Sequence, residues 1–466
     1  MTQETIAAVI TAPGIGAMGA IRLSGPNAYD AVAKVFRGKH GTDIHQVGEY
    51  SLHYGGVYID GAFLDQALLL IMKGPHSYTG EDVAELQCHG GPVVIGLVLS
   101  ALTGIVDHPV REALPGEFSL RAFQHGKMDL NQAEAVMELV MASNTEAAFL
   151  AASQVEGALS RRIGHLAEGI LLLLAQIEVE IDFPDEELSE LDGEEARREA
   201  ASQLVEEANQ LLASAQRGRL YKEGLRLVFY GRPNAGKSSL LNGLLQEPRA
   251  IVTPEPGTTR DIVEERIILK GIPLLLTDTA GIRESVSQAE QAGVERARDT
   301  AGKADLVLYV VDADEGMTPE DERLIRELDK DKCLIILNKV DLLPASAMDD
   351  AAYGIPTHLQ EWSYCHLCAL DAESMDILAD RIRLILLEKA EFSSDQGIVL
   401  NRRQTQALFS ARQALMRAEA ALESGIPEDI ASIDLREAWA YLGELSGETL
   451  QPVLVETIFS TFCLGK

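Results

Sequence analysis

The sequence predicts a multidomain protein of mixed α/β and α class. Three observations support this. Short apolar strands alternate with glycine-rich turns before residue 120, and helix-forming stretches lie on both sides of the segment 218–388. Within that segment, the apolar run 225–230 leads into a loop of the form G-x-x-x-x-G-K-[ST] at 231–238. A strand followed by such a loop is typical of α/β nucleotide-binding domains.

Changes in composition set the predicted domain boundaries. Residues 1–120 mix predicted strands with one predicted helix, which indicates an N-terminal α+β domain. Residues 121–217 and 389–466 are rich in helix formers, and we expect them to form the two parts of one helical domain. The α/β domain, residues 218–388, is then an insertion, because the ends of such a domain often lie close together.

The loop at 231–238 predicts a phosphate-binding site. Its glycines allow backbone N–H groups to surround phosphates, Lys237 can reach the β and γ phosphates, and the Ser238 hydroxyl can ligate Mg²⁺. Asp278-Thr279-Ala280-Gly281 follows a second apolar run, where a carboxylate can join the Mg²⁺ shell and a glycine N–H can meet the γ-phosphate. These motifs predict a nucleotide hydrolase.

A third motif indicates that the base is guanine. Asn338-Lys339-Val340-Asp341 ends a fourth apolar run, and an aspartate there can accept both N1–H and N2–H₂ of guanine, which adenine cannot offer. Cys368-Ala369-Leu370 stands where GTPases usually have Ser-Ala-Lys, with a backbone N–H reading guanine O6, so the cysteine departs from the usual pattern. The sequence thus predicts a P-loop GTPase domain, Ras-like and mostly parallel in its sheet.

The segment Pro256 to Asp261 lies between the first two motifs and is rich in hydroxyls and glycine. Alone it is most simply a turn, but between these motifs we interpret it as a switch in which Thr259 joins Mg²⁺ when the γ-phosphate is present. The predicted GTP contacts are Asn234, Ala235, Gly236, Lys237, Ser238, Ser239, Thr253, Thr258, Thr259, Asp278, Thr279, Ala280, Gly281, Asn338, Lys339, Asp341, Cys368 and Ala369.

Charge and cysteine content limit the functional class. The formal net charge is −32 and each predicted segment has more acidic than basic residues, so any RNA contact must be local or shared with a more basic partner. Five scattered cysteines favour a reducing compartment, and a zinc site at Cys365-x-x-Cys368 is disfavoured because no second ligand pair has suitable spacing. We expect no membrane helix and no leader peptide, and hence a cytoplasmic protein.

Several segments together resemble the MnmE (TrmE) family of tRNA modification GTPases. They are TGEDVAELQCHGG, PGEFSLRAF, MDLNQAEAV, IDFPDEE, GRPNAGKSSLLN, GTTRD, DTAGIRE and the terminal FCLGK, and they span the whole chain. The resemblance implies a folate-binding-like N-terminal domain that dimerises. It also implies a flavoprotein partner, the FAD-dependent MnmG, with which the family adds an aminomethyl-type group to carbon 5 of the wobble uridine of certain tRNAs. The one-carbon unit would come from 5-formyltetrahydrofolate or a related tetrahydrofolate.

The resemblance also implies the folate contacts, namely Arg22, Glu85, Lys127 and Lys466. Cations can hold the glutamate tail of a folate and a carboxylate can accept the N–H donors of a pterin edge, although each residue could equally be a surface charge. Cys463 has two readings, a reactive thiol at the folate site or a small apolar plug near the chain end.

The catalytic residues implied for hydrolysis are Glu290, Lys237 and Thr259. Ile282 occupies the position of the water-orienting glutamine of Ras-like enzymes, so Glu290 would orient the water, the alternative being a glutamate on a helix surface. In this family K⁺ acts like an arginine finger when two GTPase domains meet. Its ligands here would be Asn234, Thr253, Glu255 and Thr258, and the Mg²⁺ ligands Ser238 and Thr259.

The resulting hypothesis is a homodimeric, K⁺-stimulated GTPase whose cycle drives folate- and flavin-dependent tRNA modification. The tRNA would be bound largely through the partner in a hetero-oligomer. The main alternative is a regulatory GTPase switch in ribosome assembly, but such proteins usually carry a basic RNA-binding module, whereas residues 389–466 are acidic. A second alternative is an adaptor whose GTPase gates partner binding.

Overall fold

The computed structural model describes residues 4–39, 43–182, 190–245, 264–270, 272–278, 301–343, 355–389, 398–424 and 427–466. Its strands are β1 (Thr5–Val9), β2 (Gly19–Ser24), β3 (Phe36–Gly38), β4 (Tyr50–Ile59), β5 (Ala62–Met72), β6 (Val83–Cys88), β7 (Val110–Glu112), β8 (Leu225–Tyr230), β9 (Glu264–Leu269), β10 (Ile272–Asp278), β11 (Leu306–Asp312), β12 (Cys333–Asn338) and β13 (Ser363–Leu367). Its helices are α1 (Ala28–Val35), α2 (Pro92–Thr103), α3 (Glu117–Gln124), α4 (Leu130–Met141), α5 (Thr145–Val155), α6 (Ala158–Asp182), α7 (Glu190–Glu223), α8 (Lys237–Leu245), α9 (Pro319–Arg326), α10 (Ala372–Lys389), α11 (Arg402–Glu423), α12 (Glu428–Ser446) and α13 (Pro452–Ser460).

Contacts between Cα atoms divide the chain into two compact units. Unit 1 comprises Met1–Val140, Ala152–Asn209 and Arg402–Lys466, and unit 2 comprises Met141–Ala151 and Gln210–Asn401. The further division of unit 1 into an N-terminal and a helical domain stays a prediction. No helix among the described ranges is long and apolar enough to cross a membrane.

Unit 1 contains a seven-stranded sheet of order β3-β4-β5-β6-β2-β1-β7. The pairs are antiparallel except β1 with β7. Helices α1 and α2 bury their apolar residues against this sheet, for example Val32, Val98 and Leu102. In the helical part, α11 and α12 pack against each other and α12 packs against α6. The α+β and helical textures predicted from composition are confirmed.

The C-terminal helix α13 packs against α3 within unit 1. Phe459 lies at the centre of this contact, 6.0 Å from the ring centroid of Phe123 and 5.0 Å from that of Phe462. Leu130 and Ala133 at the start of α4 complete the same apolar cluster. The last residues of the chain are therefore attached next to the segment that follows β7.

Unit 2 contains a six-stranded sheet of order β13-β12-β11-β8-β10-β9, parallel except for the β9–β10 pair. Both faces of β8 are buried, because Leu227 and Phe229 point into one apolar cluster and Val228 and Tyr230 into another. Burial on both faces explains why the apolar runs are continuous rather than alternating. The strands predicted around the phosphate loop are confirmed.

Capping side chains mark the start of two helices. Residues 130–155 form α4 and α5, and Asn144 caps the second by accepting a bond from the Ala147 N–H, 2.7 Å away. In unit 2, Thr318 and Asp321 form a reciprocal capping box at the start of α9, with Pro319 in the first turn.

Candidate functional site

The phosphate loop joins the end of β8 to the start of α8. Lys237 is the first residue of α8, and Ser238 and Ser239 in its first turn are exposed. The Lys237 Nζ donates to the carbonyl oxygens of Gly231 and Arg232, at 2.8 and 2.6 Å. An ammonium and unpaired N–H groups at a helix N-terminus form an anion-binding site. The loop can therefore accept phosphates as the motif predicts.

Asn338 connects the phosphate loop to the loop after β13. Its Nδ2 donates to the Ala235 carbonyl at 3.0 Å, and its Oδ1 accepts from the Ala369 N–H at 3.1 Å. Gly236 has a φ of +99°, and a Cβ there would lie 2.0 Å from Asn338 Nδ2. Only glycine allows this approach, so three of the predicted nucleotide motifs meet at one side chain.

Lys339 follows with a φ of 64° and extends to Asp312 at the end of β11, with Nζ 2.5 Å from Oδ2. Burial is the largest influence and would raise the pKa of Asp312. The hydrogen bond and charge of Lys339, together with the backbone N–H groups of Asp314 and Glu315, outweigh it, so the pKa lies below the ordinary value. The ion pair fixes the Lys339 side chain, which follows β12, at the end of the neighbouring strand β11.

The predicted guanine-reading residues lie close together. Asp341 is exposed and lies near the Cys368 thiol, whose pKa is raised first by burial and further by this carboxylate. The Cys368 N–H donates to Ser374 Oγ at 3.3 Å. The loop after β13, which has Cys368 where GTPases usually have serine, therefore lies next to Asp341, the residue predicted to bind guanine.

Other predicted site residues are not described in the structure. Those outside the described residues are Thr253, Glu255, Thr258, Thr259, Thr279, Ala280, Gly281, Ile282 and Glu290. The backbone of Asp278 is described, and it pairs with Phe229 of β8 two residues before the phosphate loop begins. Asn234 is exposed in the phosphate loop and has a φ of 63°.

A second group of predicted residues meets in unit 1. Arg22 and Glu85 are cross-strand neighbours on β2 and β6, and Arg22 Nε donates to Glu85 Oε1 at 2.7 Å. The Arg22 guanidinium also lies over the rings of Tyr78 and Phe118, 5.1 and 5.5 Å from their centroids. Sequence reasoning did not identify these two aromatic residues.

The chain end brings Lys466 to the same place. The Phe118 N–H donates to the Lys466 carbonyl at 3.2 Å, and the Gly116 N–H donates to the Cys463 carbonyl at 3.3 Å. Burial lowers the pKa of Lys466, and the charge of Arg22 lowers it further. Two cations held near each other suit an anionic ligand.

The two remaining candidates in this region are Lys127 and Cys463. Lys127 is exposed, and its stem lies beside Gly80. The Cys463 side chain is exposed, which fits an accessible thiol better than an apolar plug. Lys127 follows α3 and Cys463 follows α13, and these two helices pack against each other.

A buried ionic network supports this region and was also missed at the level of sequence. Arg121 lies 2.9 Å from Glu81 and 3.0 Å from Glu117, its neighbour four residues earlier on α3. Burial alone would raise the pKa of Glu117, but its bond from Arg111 and those from Leu114 and Arg121 lower it. The i,i+4 spacing of Glu117 and Arg121 was the available signal.

Comparisons with known proteins agree with this geometry. Residues 130–463 match the MnmE helical domain, and residues 5–127 match the GTP-binding protein TrmE N-terminus. The tRNA modification GTPase MnmE of Carboxydothermus hydrogenoformans is 40% identical over 468 residues, with 100% of each chain covered. That of Symbiobacterium thermophilum is 41% identical over 471 residues, again with 100% of each covered. That of Lactiplantibacillus plantarum is 40% identical over 466 residues, covering 99% of this chain and 98% of the other.

Identity at this level along the full length, together with matches to both domain families, leaves no segment unaccounted for by one family. The chain belongs to the MnmE, or TrmE, family of tRNA modification GTPases.

Proposed function

We propose that this chain hydrolyses GTP to drive the addition of an aminomethyl or carboxymethylaminomethyl group to carbon 5 of the wobble uridine in certain tRNAs. The observation that carries the proposal is the presence, in one chain, of a phosphate loop joined to guanine-reading residues and a separate paired-cation region. The first fits GTP, and the second fits an anionic folate. Full-length relatives named as tRNA modification GTPases support the same conclusion.

In the GTP site, Lys237 would leave the two loop carbonyls to bind the β and γ phosphates. The exposed Ser238 hydroxyl fits Mg²⁺, with Thr259 and Asp278 as further members of its shell. A bound Mg²⁺ neutralises charge that develops on the phosphate oxygens. Asp341 would accept the two guanine donors, with the Cys368 thiol near its carboxylate.

For hydrolysis we propose that Glu290 orients the attacking water, because Ile282 cannot hydrogen-bond to it. The Asn234 side chain is exposed, and its amide oxygen would be a suitable ligand for K⁺. Thr253, Glu255 and Thr258 would be further ligands. Bound K⁺ would supply a positive charge beside the transferring phosphoryl group when two GTPase domains meet.

In the folate site, Arg22 and Lys466 would hold a carboxylate, and Lys127 would add a further positive charge. The region fits such a ligand because burial and mutual repulsion of the two cations depress the Lys466 pKa, and an anion would relieve this. Glu85 would accept from the pterin edge, which requires that it share its carboxylate with Arg22. Cys463 would face the one-carbon donor as an accessible thiol.

We propose that the chain works as a homodimer with the FAD-dependent partner MnmG in a hetero-oligomer. The net charge of −32 supports tRNA binding largely through that partner, since phosphate binding depends on Lys and Arg.

Nucleoside analysis tests the proposal directly. tRNA from cells that lack this protein should contain unmodified wobble uridine, and the parent gene should restore the modified nucleoside. Lys237→Ala and, separately, Lys466→Ala should fail to restore it although both proteins accumulate. Normal tRNA together with defective ribosomal subunits would favour the ribosome-assembly switch, and restoration by Lys466→Ala would argue against the folate site.

A further inference from the structure

Arg232, the first variable residue of the phosphate loop, makes ion pairs that the reaction scheme above does not use. Its Nη2 donates to Oε2 of Glu315, and its Nε lies 3.6 Å from Oδ2 of Asp321. The Arg232 side chain is 25% exposed, whereas that of Asp321 is 1% exposed. One of the two carboxylates that hold the arginine is therefore fully in the core of unit 2.

The Asp321 carboxylate is itself fixed by several donors. Its Oδ1 accepts from the Tyr309 hydroxyl at 3.0 Å, and its Oδ2 accepts from the Thr318 N–H and hydroxyl at 2.9 and 2.6 Å. Tyr309 is completely buried in β11. A carboxylate with this many donors has one favourable position, so it provides a rigid point of attachment for Arg232.

The backbone of Arg232 contacts the phosphate-binding lysine. Its carbonyl accepts from Lys237 Nζ at 2.6 Å, together with the Gly231 carbonyl. Arg232 is thus bound to the core through its guanidinium and to Lys237 through its main chain. Movement of the guanidinium away from its carboxylates would release the peptide that shapes the start of the loop.

We infer that Arg232 is a positioning residue that holds the phosphate loop in its nucleotide-binding shape before GTP arrives. The inference rests on the proposed assignment of this loop as the GTP site. A loop that is already ordered loses less conformational entropy on binding, so removal of the clamp should weaken nucleotide affinity. The effect on affinity should exceed the effect on kcat, because the Arg232 side chain pairs with Glu315 and Asp321 and is not itself one of the proposed GTP contacts or catalytic residues.

The test compares Arg232→Ala, Arg232→Lys, Glu315→Ala and the Arg232→Ala/Glu315→Ala double variant in the full chain. Dissociation constants for N-methylanthraniloyl-GDP come from fluorescence titration, and kcat and KM come from GTP hydrolysis. Asp321 is left intact because its loss would strand the Tyr309 hydroxyl in the core. Arg326→Ala is the matched control, since Arg326 pairs with Glu322 on the exposed side of the same helix, α9.

Arg232→Ala should weaken affinity about fivefold and Glu315→Ala about twofold to threefold, the range of a partly exposed ion pair. The double variant should bind no more weakly than Arg232→Ala alone, Arg232→Lys should recover part of the loss, and Arg326→Ala should match the parent. Each variant should keep kcat within about twofold.

Three results would overturn the inference. Fully additive losses in the double variant would show that Arg232 and Glu315 act separately. A large loss of kcat with unchanged affinity would place Arg232 at the transition state rather than in loop positioning. Parent-like affinity in every variant would refute the positioning role of Arg232 but not the GTP site. Failure of the parent protein to bind the labelled nucleotide would also refute the assignment of this loop as the GTP site.

Discussion

Replacing Gly116 with alanine should detach the C-terminal segment from the residues around Arg22. Gly116 has a φ of +70°, and a Cβ built on it would lie 2.1 Å from the Phe459 carbonyl oxygen and 3.0 Å from the Phe462 Cβ. The Gly116 N–H also donates to the Cys463 carbonyl. The substitution therefore acts on the contact that carries Cys463 and Lys466 to their positions.

The expected cost has two parts. Alanine in the left-handed region costs about 1 to 2 kcal/mol relative to glycine. The Phe459 carbonyl must then move by about 0.9 Å to reach the shortest Cβ contact that occurs, 3.0 Å, and by about 1.3 Å to reach ordinary contact at 3.4 Å, starting from 2.1 Å. Because the obstacle is backbone rather than a flexible side chain, this resembles overpacking of a core, which costs about 1 to 3 kcal/mol.

Gly61→Ala is the matched control. Gly61 has a φ of +83° with nothing within 4 Å of its Cβ position, so it incurs the conformational cost without the steric one. Differential scanning calorimetry should show a lower Tm for Gly116→Ala than for Gly61→Ala, by about 2 to 4 °C per kcal/mol of steric cost. Titration with 5-formyltetrahydrofolate should show weaker binding for Gly116→Ala only.

Equal Tm values for the two variants would refute the steric argument. A lower Tm with parent-like folate affinity would refute a different step, namely that the docked chain end builds the folate site. Only the loss of both quantities agrees with the reasoning.

Three further predictions concern the GTP cycle. Asp341→Asn should weaken GTP binding and improve binding of xanthosine nucleotides, measured by competition titration, and parent-like GTP affinity would show that the base is read elsewhere. GTP turnover should be higher in K⁺ than in Na⁺ at equal ionic strength, by about 10³-fold or more, and Asn234→Ala should abolish the difference. Glu290→Ala should lower kcat by about 10² or more in saturating K⁺ with little change in GTP affinity, and parent-like turnover would return Glu290 to a surface role.

The GTPase sheet could be predicted from the sequence because its evidence is local. Each parallel strand is buried on both faces, so the apolar runs are continuous, and the functional loops begin where those runs end. Leu227 and Phe229 face one cluster while Val228 and Tyr230 face the other, which requires apolar residues at every position. Local composition therefore predicted both the strands and the order of the nucleotide motifs.

The supporting contacts could not be predicted in the same way. In the sequence, Asp321 resembles an ordinary helix-capping residue. Nothing near it in the sequence shows that it also forms an ion pair with Arg232, which lies 89 positions earlier in the phosphate loop. The break between α4 and α5 lies at Ser143-Asn144-Thr145, where Asn144 caps the second helix although helix formers lie on both sides. The capping residue, rather than the composition, marks this boundary.

Arg22, Glu85 and Lys466 could be grouped into one site only from the family resemblance, and the structure gives a physical reason for that grouping. Arg22, Glu85 and Lys466 have no shared pattern along the chain, since two belong to neighbouring strands and one to the last position. The structure supplies a physical reason for their grouping: Phe118 lies under the Arg22 guanidinium and binds the Lys466 carbonyl through its N–H. Phe118 belongs to α3, which the Arg121–Glu81 ion pair connects to the loop before β6, while Glu117 pairs with Arg121 within the helix. The buried network therefore acts on the proposed folate site through one aromatic residue, although none of its charges belongs to that site.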